Sequence, residues 1–168
     1  MLSLKTIAWD DSRKVFGSPI HSEFVWDLKE PTFAMCERCA SEGTIGLNCT
    51  CGVYHSPNIE SLNEYESFPT SIIAWIQLFG RTDIWSGPEP DLTWTYPTRS
   101  DGARIIGIVG SGSLHSLGFL KGTRGITEGL ACQMFGVPLR PWGYVRQVTR
   151  EAWIKYFKLD PYQDRRAK

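Results

Sequence analysis

The sequence predicts an α+β chain, a β-rich single domain with a zinc-bound loop and C-terminal helices, and three observations lead there. Four of the five cysteines, Cys36, Cys39, Cys49 and Cys51, crowd into one glycine-containing stretch. Short β-branched and aromatic runs, punctuated by Gly, Pro and Asp, recur from Leu4 to Val109. Helical patterns of good length come only late, over Ile126 to Phe135 and after Thr149. Residues 1–140 are accordingly read as a zinc-stabilised β-rich domain and residues 141–168 as a C-terminal helical extension packed on it.

A chain of 168 residues has the size of one domain and buries roughly two-thirds of its unfolded surface. Its 42% hydrophobic and 12% aromatic content, with seven Trp, excludes a disordered chain. Eighteen basic residues balance eighteen acidic ones, so no long-range field steers the molecule toward nucleic acid or an anionic membrane. No apolar run approaches the roughly 18 residues that span a bilayer, and Met1–Lys5 lacks a signal-peptide core. The expectation is a cytoplasmic protein with no membrane partner, whose reduced, clustered thiols serve as metal ligands.

Leu4, Thr6 and Ala8 alternate with Lys5, Ile7 and Trp9 ahead of the turn-like Asp10-Asp11-Ser12, which predicts a hairpin. Pro57 to Glu66 suggests a short helix through Leu62 and Tyr65. Ser71 to Trp85 is apolar on nearly both faces at period two and rich in β-branched and aromatic residues, which predicts a buried strand with a bulge or bend at Gly80. Leu92 to Tyr96 reads as its partner, ended by Pro97, and Arg104 to Val109 as a further strand. The helix over Ile126–Phe135 is expected to stop at Gly136, whereas Trp142 to Val148 fits either strand or helix. Thr149 is the expected N-cap of a last helix with Trp153, Ile154 and Phe157 on its buried face.

The cysteines carry the chemistry. Cys36-Glu37-Arg38-Cys39 is a Cys-x-x-Cys knuckle, and Cys49-Thr50-Cys51 supplies the second pair that tetrahedral zinc requires. Cys-x-Cys side chains share one face of an extended chain and close on one ion only if the backbone turns, which Gly52 permits by taking a positive φ. His55 and His21 stand in reserve as ligands, and an iron–sulfur cluster on the same sulfurs stays open. A four-sulfur zinc site is coordinatively closed, so the expected Zn2+ is structural and not catalytic.

Four pieces fall in order along the chain: Cys49-Thr50-Cys51-Gly52-Val53-Tyr54, Leu78-Phe79-Gly80-Arg81, Tyr96-Pro97 and Phe135-Gly136-Val137-Pro138. This set resembles that of small proteins of actinobacteria and their phages that carry a cysteine loop ending Cys-x-Cys-Gly-[Ile/Val]-[Tyr/His]. The resemblance covers roughly residues 4 to 138, implies a metal-binding β-rich domain, and brings no activity with it. In that family a His followed by Ala-Pro lies between the first cysteine and the Cys-x-Cys pair. None does here, and Cys39 takes the second ligand role.

Other chemistry is thinner. Gly107-Ile108-Val109-Gly110-Ser111-Gly112 lacks the Lys and Ser/Thr of a phosphate loop. His115 among Ser111, Ser113 and Ser116 lacks a nucleophile-elbow pattern, and Cys132 reads as an inert helical thiol. The expected function is a non-catalytic, zinc-stabilised binding or adaptor protein, a phage or actinobacterial accessory whose C-terminal segment engages a protein partner. The alternative is a nucleic-acid-binding accessory protein using the basic aromatic tail, with Arg140, Arg146, Arg150, Lys155, Arg165 and Arg166 beside Trp142, Tyr144, Trp153 and Tyr156. An enzyme of unassigned class, built around His115 or His55, ranks third.

Overall fold

The alternation after Leu2 produces a strand, β1 (Leu2–Asp10), which turns back as β2 (Val15–Gly17) in the computed structural model of the chain. That structure describes residues 1–19, 24–34, 52–56, 62, 70–84, 98–110 and 124–157. Asp10 fixes the turn, its Oδ1 accepting the backbone N–H groups of Ser12 (3.0 Å) and Arg13 (3.1 Å) and the Ser12 hydroxyl (2.6 Å). These bonds hold the Asp10 carboxyl below the usual range, led by the Ser12 hydroxyl.

The long strand expected over 71–85 is β5 (Ser71–Ile84). Gly80 takes φ 70° beside a register shift between Phe79 and Thr82, so the bend falls where the sequence places it. The partner of β5 is β6 (Thr98–Val109), paired antiparallel along its length. It begins six residues before Arg104, because Arg99, Ser100 and Asp101 are buried strand residues rather than a turn. Leu92–Tyr96, expected to be a separate strand, lies outside the described residues, as does the helix suggested over 57–66 apart from Leu62.

Three short strands complete the sheet. They are β3 (Thr32–Phe33), β4 (Val53–His55) and β7 (Leu139–Arg140), and all three pair with β6. Among the described residues the main order is β2-β1-β5-β6-β3. The sheet curls, because Ser56, just past β4, returns to the free edge of β1: Leu4 N–H donates to Ser56 O (2.8 Å) and Ser56 N–H to Leu4 O (3.0 Å).

Each face carries a helix. On one, Ile7, Ile72, Ala74, Ile76, Leu78, Ile105 and Ile108 pack with Phe16, Trp26 and Val53 under α1 (Arg124–Phe135). Phe16 lies between Trp9 and Phe135, ring centroids 5.0 and 5.4 Å away, and so ties hairpin to helix. Helix α1 stops as expected: Gly136 has φ 65°, and Val137 N–H closes on Cys132 O (3.1 Å).

The other face carries Leu4, Trp75 and Val109 beneath α2 (Trp142–Phe157). Here the sequence expectation needs correction. Residues 142–157 form one helix that starts at Pro141, whose carbonyl accepts from Val145 N–H (3.2 Å). Thr149 is therefore mid-helix and fully buried, not an N-cap, and its Oγ1 accepts from Trp75 Nε1–H (3.1 Å). Trp142 is 7% exposed and packs in this cluster with Val145, so it is core rather than part of a docking surface. The side chains of Trp153, Ile154 and Phe157 lie outside the described residues.

Candidate functional site

Cys36, Cys39, Cys49 and Cys51 lie outside the described residues, as do His21 and His115. The structure does fix the two ends of the segment that bears the cysteines. β3 runs along β6 with Thr32 opposite Ala103 and Phe33 opposite Gly102, and Ala34 N–H then donates to Asp101 O (2.9 Å). β4 resumes on the same edge with Val53 opposite Ser100. The chain thus leaves β6 at Asp101 and rejoins it at the adjacent Ser100. In sequence, Cys36 comes two residues after Ala34 and Cys51 two residues before Val53. Gly52, next to Cys51, has φ 134°, the positive value expected there.

β4 delivers His55 into the covered interior, where it is 3% exposed. Its Nδ1 shares a hydrogen bond with Ser3 Oγ at 2.9 Å. Burial, then the charge of Lys5, then the amino terminus, push the imidazole down to about 3. Lys5 stands on the same face of β1 as Ser3, two residues on, and burial pulls its ammonium down to about 8. A serine at this distance from an imidazole has the geometry of a nucleophile and its base. Ser3 is fully buried, however, and an imidazole titrating near 3 is a weak proton acceptor at neutral pH. The pair locks β4 to β1 beside the Leu4–Ser56 bridge.

Stability should report this lock. The unfolded chain protonates His55 near its ordinary pKa of about 6.5, whereas the folded protein resists protonation until about 3. The contribution is complete above pH 6.5 and is lost as pH falls toward 3. Between pH 7.5 and 5 it amounts to about 2 kcal/mol. Urea titrations at the two pH values are expected to show that difference in the wild type and not in His55→Gln.

Comparisons with protein-family models, with curated proteins and with solved structures find no match. The site therefore stands on its own residues. Among the described residues no group of three or more His, Cys, Asp or Glu is arranged to hold a metal, and no helix is long and apolar enough to cross a membrane. Burial and nearby Glu128 push the Cys132 thiol up, which suits the inert role read from the sequence.

A second feature escaped sequence reasoning. On the outer face, the one that carries α2, Arg104 lies over Phe79, its Cζ 5.9 Å from the ring centroid, and donates to Gln77 Oε1 (3.2 Å). Phe33, 53% exposed, lies over Gly102, its Cδ1 2.5 Å from where a Cβ would stand. Arg140 Cζ is 5.6 Å from the Tyr144 ring, which is 49% exposed and meets Trp75 edge-on at 5.9 Å. The residues are ordinary one by one, and only the strand register gathers them.

Proposed function

We propose that this chain is a non-catalytic binding protein in which a structural zinc ion, held by Cys36, Cys39, Cys49 and Cys51, shapes the segment between β3 and β4. The anchoring of that segment at consecutive residues of β6, Asp101 and Ser100, carries the reading. With the segment's two ends held side by side on β6, an ion has only to order the chain between them. Four thiolates suit tetrahedral zinc and leave no open position for water, so the metal acts on architecture. The resemblance to actinobacterial and phage proteins supports the same reading, with the protein in an accessory role in the cytoplasm.

For the partner, the first reading is a protein engaged by the C-terminal segment, where α2 turns Arg146, Gln147, Arg150 and Glu151 to solvent. The second reading is a nucleic acid, favoured by the arginine–aromatic stacks on the outer face. Elemental analysis of the purified full chain tests the metal. One zinc per chain and no iron are expected, and Cys36→Ser with Cys51→Ser should abolish it. Protein without stoichiometric metal would end the zinc reading, and iron in its place would end the choice of ion.

A further inference from the structure

We propose that the open part of the outer sheet face binds a short stretch of single-stranded nucleic acid, with bases stacked on Phe33 and Tyr144 and phosphates held by Arg104 and Arg140. The inference rests on the binding-protein reading and is independent of the metal.

The register builds the surface. Phe79 of β5 faces Gly102 of β6, and Gly102 faces Phe33 of β3, so the two phenylalanines flank Gly102 in one row across three adjacent strands with no side chain between them. Gln77 and Arg104 form the next row, then Trp75 and Gly107. A Cβ on Gly107 would meet Trp75 at 3.3 Å and Arg140 Cγ at 3.5 Å, which puts the Arg140 stem on this same face. The strip therefore runs Phe33, Phe79, Arg104, Arg140, Tyr144.

Its chemistry selects the ligand. Neither guanidinium meets a carboxylate among the described residues, and the outward positions of β5 and β6 along the strip carry no acidic side chain. Two cations set over aromatic rings, on a molecule of zero net charge, form a local anion site rather than a general basic field. Arg104 and Gly107 stand opposite Gln77 and Trp75, two residues apart on β5 because a bulge takes up the extra residue of β6, so the two arginine stems are separated by about 7 Å along the strand. At about 3.4 Å per charge in a stacked strand, that is about two nucleotides. Exposed rings at either end offer platforms for unpaired bases, whereas paired bases in a duplex present no free faces to them. An acidic peptide would satisfy the arginines and leave the rings unused.

Fluorescence anisotropy with a labelled 12-nucleotide single strand, the same sequence as a duplex, and an acidic peptide tests the proposal on the full-length protein. The single strand should bind best, with log K falling against log salt at a slope of about −1.4 for two phosphate contacts. Phe33→Ala should weaken binding at least fivefold and Phe33→Trp restore it. Arg104→Gln with Arg140→Gln should flatten the salt slope while circular dichroism and thermal midpoint stay at wild-type values. Tighter binding of the duplex or the peptide would overturn the proposal. So would no single-strand binding in 50 mM salt, or binding lost only on neutralising Arg146, Arg150, Arg165 and Arg166. Metal content, measured on the same samples, separates any such failure from a failure of the zinc reading.

Discussion

Stripping the proposed zinc with a chelator is expected to lower the thermal midpoint by tens of degrees, with β4 the first element to loosen. Structural zinc contributes about 10–16 kcal/mol of binding free energy in small peptides, as large as the total stability of most domains. Here the ion would order the chain that runs into Gly52 and so holds β4 on β6 and Ser56 on Leu4. The pairing of β1, β5 and β6 does not pass through that segment, so loss of metal should act locally before it acts globally. Hydrogen exchange should show Val53–His55 and Leu4 losing protection ahead of Ile76 and Ile105. Histidine titration should show His55 moving from about 3 toward its ordinary value as its burial is lost. Unchanged protection of Val53–His55 after complete metal removal would separate the ion from this fold.

Gly80→Val is expected to cost about 3–5 kcal/mol, for two reasons that add. At φ 70° the backbone occupies a left-handed conformation that a β-branched residue adopts at a penalty of about 1–2 kcal/mol. The new Cβ would also fall on the Asp101 carboxylate, lying 2.7 Å from its Cβ, and displace it. That carboxylate is 7% exposed, and its Oδ2 accepts Arg81 N–H at 2.6 Å, a charge-assisted bond of about 1.5–3 kcal/mol. Urea unfolding of Gly80→Val and of Gly80→Ala, which keeps the clash but lessens the backbone penalty, measures the two parts. A loss below about 1 kcal/mol in the valine variant would show that the bend relaxes freely.

Legibility in the sequence followed the range of the interaction concerned. Strand β5 and its bend could be read because alternation and a glycine within a β-branched run are local signals. The same holds for α1 and its stop at Gly136. The first half of β6 could not be read. Thr98-Arg99-Ser100-Asp101-Gly102 has turn composition, and only β5 on one side with β3 and β4 on the other makes it a buried strand. Thr149 reads as a cap because it precedes a helical pattern, while its hydroxyl accepts from Trp75, 74 residues away in sequence. For the candidate site, the cysteine spacing is a local signal from which a metal can be proposed without a fold. The closeness of the segment's two ends, the buried Ser3–His55 pair and the arginine–aromatic strip all depend on strand register, which no single stretch of sequence contains.

The bridge from Leu4 to Ser56 also bears on how the chain is made. β1 is synthesised before β5, and β2 shelters only its last three residues, Ala8–Asp10, at once. Its first half waits for Ser56 on one edge and for residues 71–77 on the other. At about 5–20 residues per second that interval lasts roughly 3–15 s on the ribosome. Throughout it, Leu2–Ile7 presents an unpaired backbone to neighbouring nascent chains, a hazard that ends only when the sheet curls shut.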